Sequence, residues 1–398
     1  MEKNRLFGIG EPVCARGLSG DIDPEAAVEL MRRVGFTAVR EWMHIPQLLA
    51  SPDTPRLEAV AAYTHVLNLH QAQDREITGM NHAWYLAGNP LRASHGEMYP
   101  RDLTPGSLYM RTLALWELSW VTLSSLFPQV AQWEVGNEWN IDIFLHPIGW
   151  RYGQPGFTAG EKMDIAVDLM YFAARGIRRG NPHAKVVSFS PTLSVPDLGG
   201  DLPACVPRGY GIATALERVY QRIQSGRFWS DQPDDYFDLL AWHPYMETQM
   251  DPRRIRDTYP AQGDYVPREE ADGLWRSVND AAYGVMARHG DGHKKVLLTE
   301  FGFSDCDLPG WEQAQAALLE QVFDLAARRM PYVKTIHTFR LLMQRSMLQH
   351  PEPGQIGGLM EVYFGLFGER QDRYAPRSKA QVMQKLCSGS GSLQLELP

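Results

Sequence analysis

The chain has 398 residues, 44% of them hydrophobic and 22% charged, which is ordinary globular composition and long enough for one α/β barrel or two smaller domains. A net charge of −8 argues against nucleic acid or an anionic membrane as the main partner. No apolar run approaches the ~18 residues of a membrane span.

The first apolar run, 5–10, reads as a strand. A helix follows, with Asp23 as N-cap, Pro24 in its first turn and Gly35 as its stop. The second strand is 36–42, the second major helix 56–74, and the third strand 76–84. A long helix over 104–127 leads to a fourth strand at 130–138. The same rhythm then repeats. Helices at 159–180, 211–226, 269–290 and 311–330 lead into strands at 184–191, 235–245, 294–302 and 332–342. A last helix, 376–387, closes the series, and 388–398 reads as a flexible tail outside the fold. The strand cores are near-continuous apolar runs, as in parallel sheets buried on both faces. Eight such units predict a single-domain (β/α)₈ TIM barrel spanning 1–387. The open doubly wound sheet is the competing fold, but no G-x-G-x-x-G or P-loop follows the first strand.

The four cysteines form no C-x-x-C pair and read as reduced thiols. The N-terminus "MEKNRLFGIG" shows no apolar signal region, so the expected location is cytoplasmic. The longest irregular segments are 85–103, 191–210, 246–268 and 343–361. Each follows a strand, which in a barrel places it on the face that carries active sites.

Polar and aromatic side chains gather at the strand ends. They are Glu11; Arg40, Glu41 and Trp42; Asn81, His82 and Trp84; Asn137, Glu138 and Trp139; Ser190 and Thr192; Trp242, His243 and Tyr245; Glu300; and His337, Phe339 and Arg340. A barrel can hold its core with Val, Ile and Leu alone, so this convergence points to chemistry. Two carboxylates on opposing strands, Glu138 and Glu300, match the needs of glycoside cleavage: an acid on the leaving oxygen, and a nucleophile or base at the anomeric carbon.

An Asn-Glu pair ending strand four and a Glu ending strand seven resemble the clan A, or 4/7, retaining glycoside hydrolases, with families 5 and 39 nearest in look. "VREW", "NHAW", "VGNEW", "AWHPY" and "LLTEFG" carry the resemblance, with "NPHAKVV" before strand five, over roughly 5–370. The resemblance implies Glu138 as acid/base and Glu300 as nucleophile, with Asn137 on the sugar 2-hydroxyl. It implies that Arg40 and Tyr245 bracket Glu300, and that His82 and His243 bind sugar hydroxyls or tune the acid. Many clan members floor the subsite with a Trp ending strand eight; here "IHTFRLL" offers Phe339, with Trp84, Trp139 or Trp311 as other aromatic walls. No cofactor or metal is expected. The substrate expected is a β-linked oligosaccharide or small glycoside, and the oligomeric state is not readable.

Blander roles are expected elsewhere. Glu134 should be a buried, paired structural acid, Glu41 should form an ion pair behind the barrel, His337 should be a core residue, and Trp116 with Trp120 should pack. Two other readings compete with the glycosidase. One is a metal-dependent barrel hydrolase using His82, His243 and His337, although the first strand lacks His-x-His and no H-E-x-x-H helix exists. The other is a sugar-binding barrel without catalysis. Strict alternation would put Asn137 and Glu138 on opposite faces of their strand, so a shared site needs a twist or bulge there.

Overall fold

The computed structural model describes residues 6–151, 154–192, 210–245, 268–303, 310–344 and 362–388. Eight parallel strands form one sheet. We number them β1 (Phe7–Gly10), β2 (Ala38–Trp42), β3 (Glu76–Asn81), β4 (Gln132–Val135), β5 (Lys185–Val187), β6 (Leu240–Trp242), β7 (Val296–Phe301) and β8 (Val333–Phe339). The ladders run in order from β5 through β4, β3, β2 and β1 to β8, β7 and β6. Two single parallel bridges, Val187–Leu239 and Thr192–His243, join β5 to β6 and close the ring. The result is the expected (β/α)₈ barrel. Most strands are shorter than the sequence suggested: β3 to β8 stop before their expected ends, where the chain turns to build the mouth, whereas β1 and β2 end where expected.

The helices follow local chemistry. Asp23 accepts from the Ala26 amide at 3.1 Å to start the helix Pro24–Val34, and Gly35 ends it at φ +97°. Thr158 and Glu161 form a capping box that opens Ala159–Gly180. The remaining major helices are Leu57–Ala72, Leu108–Leu126, Ile212–Ile223, Arg268–Arg288, Trp311–Arg329 and Ser378–Ser388. None of the described helices is long and apolar enough to cross a membrane.

Between barrel and helices runs a chain of edge-to-face indoles. Trp133 of β4 meets Trp120, Trp120 meets Trp116, Trp116 meets Trp84 and Trp84 meets Trp139, with ring centroids 5.2–6.2 Å apart. All five rings are fully buried. Trp133 thus faces the helices, over Gly79, where a Cβ would lie 2.6 Å from its ring. The barrel interior holds a small apolar cluster of Val187, Leu239, Ala241 and Leu297. Above it the interior is polar. Behind β2, Glu41 accepts from the Cys14 amide and meets His70, each at 3.0 Å. Burial, with Arg75 adjacent, holds the His70 ring down at about 3, so this contact is a neutral hydrogen bond, not the expected ion pair.

Candidate active site

β4 ends in a sharp turn. Gly136 sits at φ +93° and Glu138 at φ +46°, both left-handed. Gly136 must be glycine twice over, since a Cβ there would also lie 2.4 Å from the Trp139 ring. Glu138 bears a left-handed cost of about 1–2 kcal/mol, held by backbone hydrogen bonds. Its amide donates to Ser190 O at 2.9 Å, and Ile141 N donates to its carbonyl at 3.0 Å. The turn breaks the alternation of the strand and carries Asn137 and Glu138 to the same mouth. β7 solves the same problem with a register shift between Leu298 and Phe301. Thr299 and Glu300, neighbours in sequence, both reach inward as a result.

At the centre lies Arg40, fully buried in the middle of β2. Its Nε and Nη2 fork onto the two oxygens of Glu134 at 2.5 and 3.0 Å. Nη1 donates to Glu300 Oε1 at 2.5 Å, and Nη2 also donates to Asn137 Oδ1 at 2.9 Å. Tyr245 donates to the other oxygen of Glu300, Oε2, at 3.0 Å. On the opposite side, His243 Nδ1 lies 2.8 Å from Glu138 Oε1 and 3.7 Å from Glu300 Oε2. One oxygen of Glu138, one of Glu300 and a ring nitrogen of His243 all lie within 4.8 Å of one another.

The two glutamates sit in different fields. Burial raises the carboxyl of Glu138 above its ordinary value, and the neighbouring charge of Glu300 adds to the rise; a proton on His243 Nδ1 would pull the other way. Burial also acts on Glu300, but its carboxyl is held below the ordinary value: a charged His243 ring would pull it down, and the Arg40 guanidinium and the Tyr245 hydroxyl do so by direct hydrogen bonds. Burial opposes the charge on Arg40, yet Glu134 and Glu300 together hold the guanidinium above its usual range. Glu134 is paired and buried, as a structural acid should be.

His82, at the exit of β3, does not touch either carboxylate. Its ring packs edge-on to His44 at 4.7 Å and to Phe144 at 5.6 Å, with His95 at 5.9 Å. Burial lowers His82 strongly and takes His44 to about 3, so both are neutral. His95 is exposed at the edge of this cluster, and Trp42 stacks on His44 at 5.8 Å. His44 and His95 are thus gathered beside His82 by tertiary structure alone. His82, His243 and His337, the proposed metal set, form no converging donor group among the described residues. His337 is a fully buried barrel residue, held down at about 3 by burial and Arg40.

Two aromatic expectations need correction. Trp84 and Trp139 have no exposed surface and belong to the indole chain, so neither offers a face to a sugar. The turn at Gly136 sends Trp139 back under the strand, where it stacks on Phe189 at 5.8 Å. Phe339 ends β8 but is nearly buried, edge-on to Phe364, which in turn touches Tyr245. The side chain of Trp311 lies outside the described residues, as do most of 191–210, 246–268 and 343–361. Thr299 was missed by sequence reasoning. Its only signal was adjacency to Glu300 in "LLTEFG".

Fold and site together define a class: a (β/α)₈ barrel whose fourth and seventh strands each end in a glutamate turned into the mouth. Solved structures of glycoside hydrolases share the fold of this chain. A family 39 glycoside hydrolase from the gut symbiont Bacteroides cellulosilyticus WH2 aligns over 97% of this chain and 64% of its own, at 15% identity and a TM-score of 0.59. A GH5_18 structure from Bifidobacterium longum subsp. longum, in complex with Manb1-4GlcNAc, aligns over 96% and 78% at 13% identity and a TM-score of 0.61. An exo-beta-1,4-mannosidase from Opitutaceae bacterium strain TAV5 aligns over 96% and 59% at 14% identity and a TM-score of 0.59. No family model and no curated protein matches the sequence.

Proposed function

We propose that this chain is a retaining glycoside hydrolase, with Glu138 as acid/base and Glu300 as nucleophile. The observation that carries the reading is the carboxylate pair itself. One oxygen of each lies within 4.8 Å of the other, in keeping with the close ~5–5.5 Å spacing of retaining enzymes and short of the ~6.5–9.5 Å that leaves room for an inverting water. Their opposite environments fit the two roles: Glu138 held toward the acid, Glu300 held ionised.

In the first step Glu300 attacks the anomeric carbon while Glu138 passes its proton to the leaving oxygen, and the glycosidic bond breaks as the glycosyl ester forms. Esterification removes the charge of Glu300, which was one cause of the raised Glu138 carboxyl. Glu138, now a carboxylate, takes a proton from water as the water attacks the ester. Arg40 and Tyr245 keep Glu300 aimed throughout. Asn137, fixed by Arg40, is placed to meet a sugar hydroxyl. A β-linked oligosaccharide or small glycoside is the substrate class, and the mannosyl compounds of the structural neighbours make β-mannosides the first to test. The site operates without a cofactor in this reading.

The test is a panel of nitrophenyl β-glycosides, with product anomers followed by NMR at early time points. Retention is expected, and net inversion sinks the mechanism. Activity abolished by EDTA and restored by a divalent ion would replace it with a metal-dependent hydrolase.

A further inference from the structure

A hydrogen-bonded chain runs from Glu138 down into the barrel. His243 Nδ1 meets Glu138, and the far nitrogen of the same ring, Nε2, lies 3.0 Å from Thr299 Oγ1. Thr299 Oγ1 is also 3.0 Å from Glu134 Oε1 and 2.8 Å from Ser190 Oγ. Ser190 donates to the same Glu134 oxygen in a short hydrogen bond. Every member of the chain is buried.

Proton positions follow from counting donors. Arg40 forks onto both oxygens of Glu134, so that carboxylate only accepts. Four contacts meet around Thr299: His243 to Thr299, Thr299 to Glu134, Ser190 to Glu134, and Ser190 to Thr299. The two hydroxyls bring one proton each. If Nε2 of His243 also carries a proton, three of the four contacts have one. If it does not, two contacts are bare: either the ring nitrogen faces the Thr299 oxygen with no proton between them, or Thr299 turns to the ring and leaves its approach to Glu134 bare. A buried bare contact costs about 1–3 kcal/mol, enough to decide between two tautomers of similar intrinsic energy.

The geometry points to Thr299 as a positioning residue that fixes the single proton of the neutral His243 ring on Nε2, so that Nδ1 accepts a hydrogen bond from the carboxylic acid of Glu138. Glu134 is the anchor of the arrangement. It orients the Thr299 hydroxyl, which orients the imidazole, which holds the proton of Glu138. The groups facing Glu138 are His243 on β6, Glu300 on β7 and the Thr192 hydroxyl after β5. Arg40 and Glu134 stand one contact further away, and Tyr245 holds Oε2 of Glu300, the oxygen that faces His243. Of these, the Thr192 hydroxyl can rotate to donate or accept, whereas His243 favours the acid or the carboxylate according to which ring nitrogen holds the proton. With Nδ1 bare, the acid is favoured before the first step. After proton transfer the carboxylate faces a lone pair, which strengthens it as a base for water.

The catalytic consequence rests on the proposed function; the tautomer does not. The experiment therefore has two readouts on the full chain. In protein labelled with ¹⁵N-histidine, the ring shifts of His243 should report a protonated Nε2. Thr299→Val removes the hydroxyl at nearly constant volume and should move the proton toward Nδ1, whereas Thr299→Ser should keep it on Nε2. In kinetics, the alkaline limb of the kcat/KM profile should fall by about one pH unit in Thr299→Val and return with Thr299→Ser. An Nδ1-protonated ring in the wild type overturns the proposal, even if Thr299→Val fails to fold. An unchanged tautomer and limb in a folded Thr299→Val overturn it as well. The expected tautomers without any glycosidase activity would instead remove the functional reading and leave the proton arrangement standing.

Discussion

Arg40→Leu is the most informative single change. Arg40 is one fully buried cation shared by two carboxylates, Glu134 and Glu300, at 2.5 Å each. Removing one partner of a buried pair costs about 3–5 kcal/mol, because a buried charge is left uncompensated. Here two are left, so the loss should reach or exceed the top of that range and take much of the ~5–15 kcal/mol that holds a domain together. The loss should depend on pH. In the wild type the Glu300 carboxyl is below its ordinary value, so its contribution is present above the unfolded value of 4.5 and fades as pH falls. In Arg40→Leu the Glu300 carboxyl loses the guanidinium that holds it down while burial still pushes it up, so it rises relative to wild type. The variant then loses stability relative to wild type as pH rises through that higher value. Urea unfolding at pH 5 and pH 8 measures this. The variant should fall further below wild type at pH 8 than at pH 5. Arg40→Lys keeps a charge without the fork and should lose less. A loss under about 1 kcal/mol for Arg40→Leu, or an equal loss at both pH values, would refute the account of Arg40 as the shared counter-ion.

Glu138→Ala should lose about 10²–10⁴ in kcat on substrates with poor leaving groups and recover with azide on nitrophenyl glycosides; full activity without azide places the acid elsewhere. Glu300→Gln should lose on the order of 10⁴–10⁶ in kcat/KM with its fold intact by circular dichroism, and a loss below tenfold would rule out a nucleophilic role. The kcat/KM profile should be a bell, with an acid limb below 4.5 from Glu300 and an alkaline limb above 4.5 from Glu138; Glu138→Gln should remove the alkaline limb, and loss of the acid limb instead would reverse the assignment. Trp139→Ala should cost about 3–5 kcal/mol by urea unfolding because it empties the indole chain over Gly136. A change confined to KM would return Trp139 to the sugar site.

The sequence by itself made the alternation of strand and helix legible, because apolar periodicity and the Asp23 and Gly35 caps are local signals. It also determined which strand ends carry polar groups, since Arg40, Asn137, Glu138, His243, Tyr245 and Glu300 are visible where each apolar run stops. Side-chain direction was not legible. Whether Asn137 and Glu138 share a mouth depends on φ at Gly136 and Glu138, and the same turn hides Trp139 in the core. Whether Thr299 and Glu300 both point inward depends on the β7 register shift. The partners of Arg40 lie 94, 97 and 260 residues away in sequence, and no local pattern encodes such distances. Composition showed that aromatic rings were abundant. Only packing decided that five of the tryptophans bury one another, because an indole in a strand exit can face a sugar or a helix with equal local propensity.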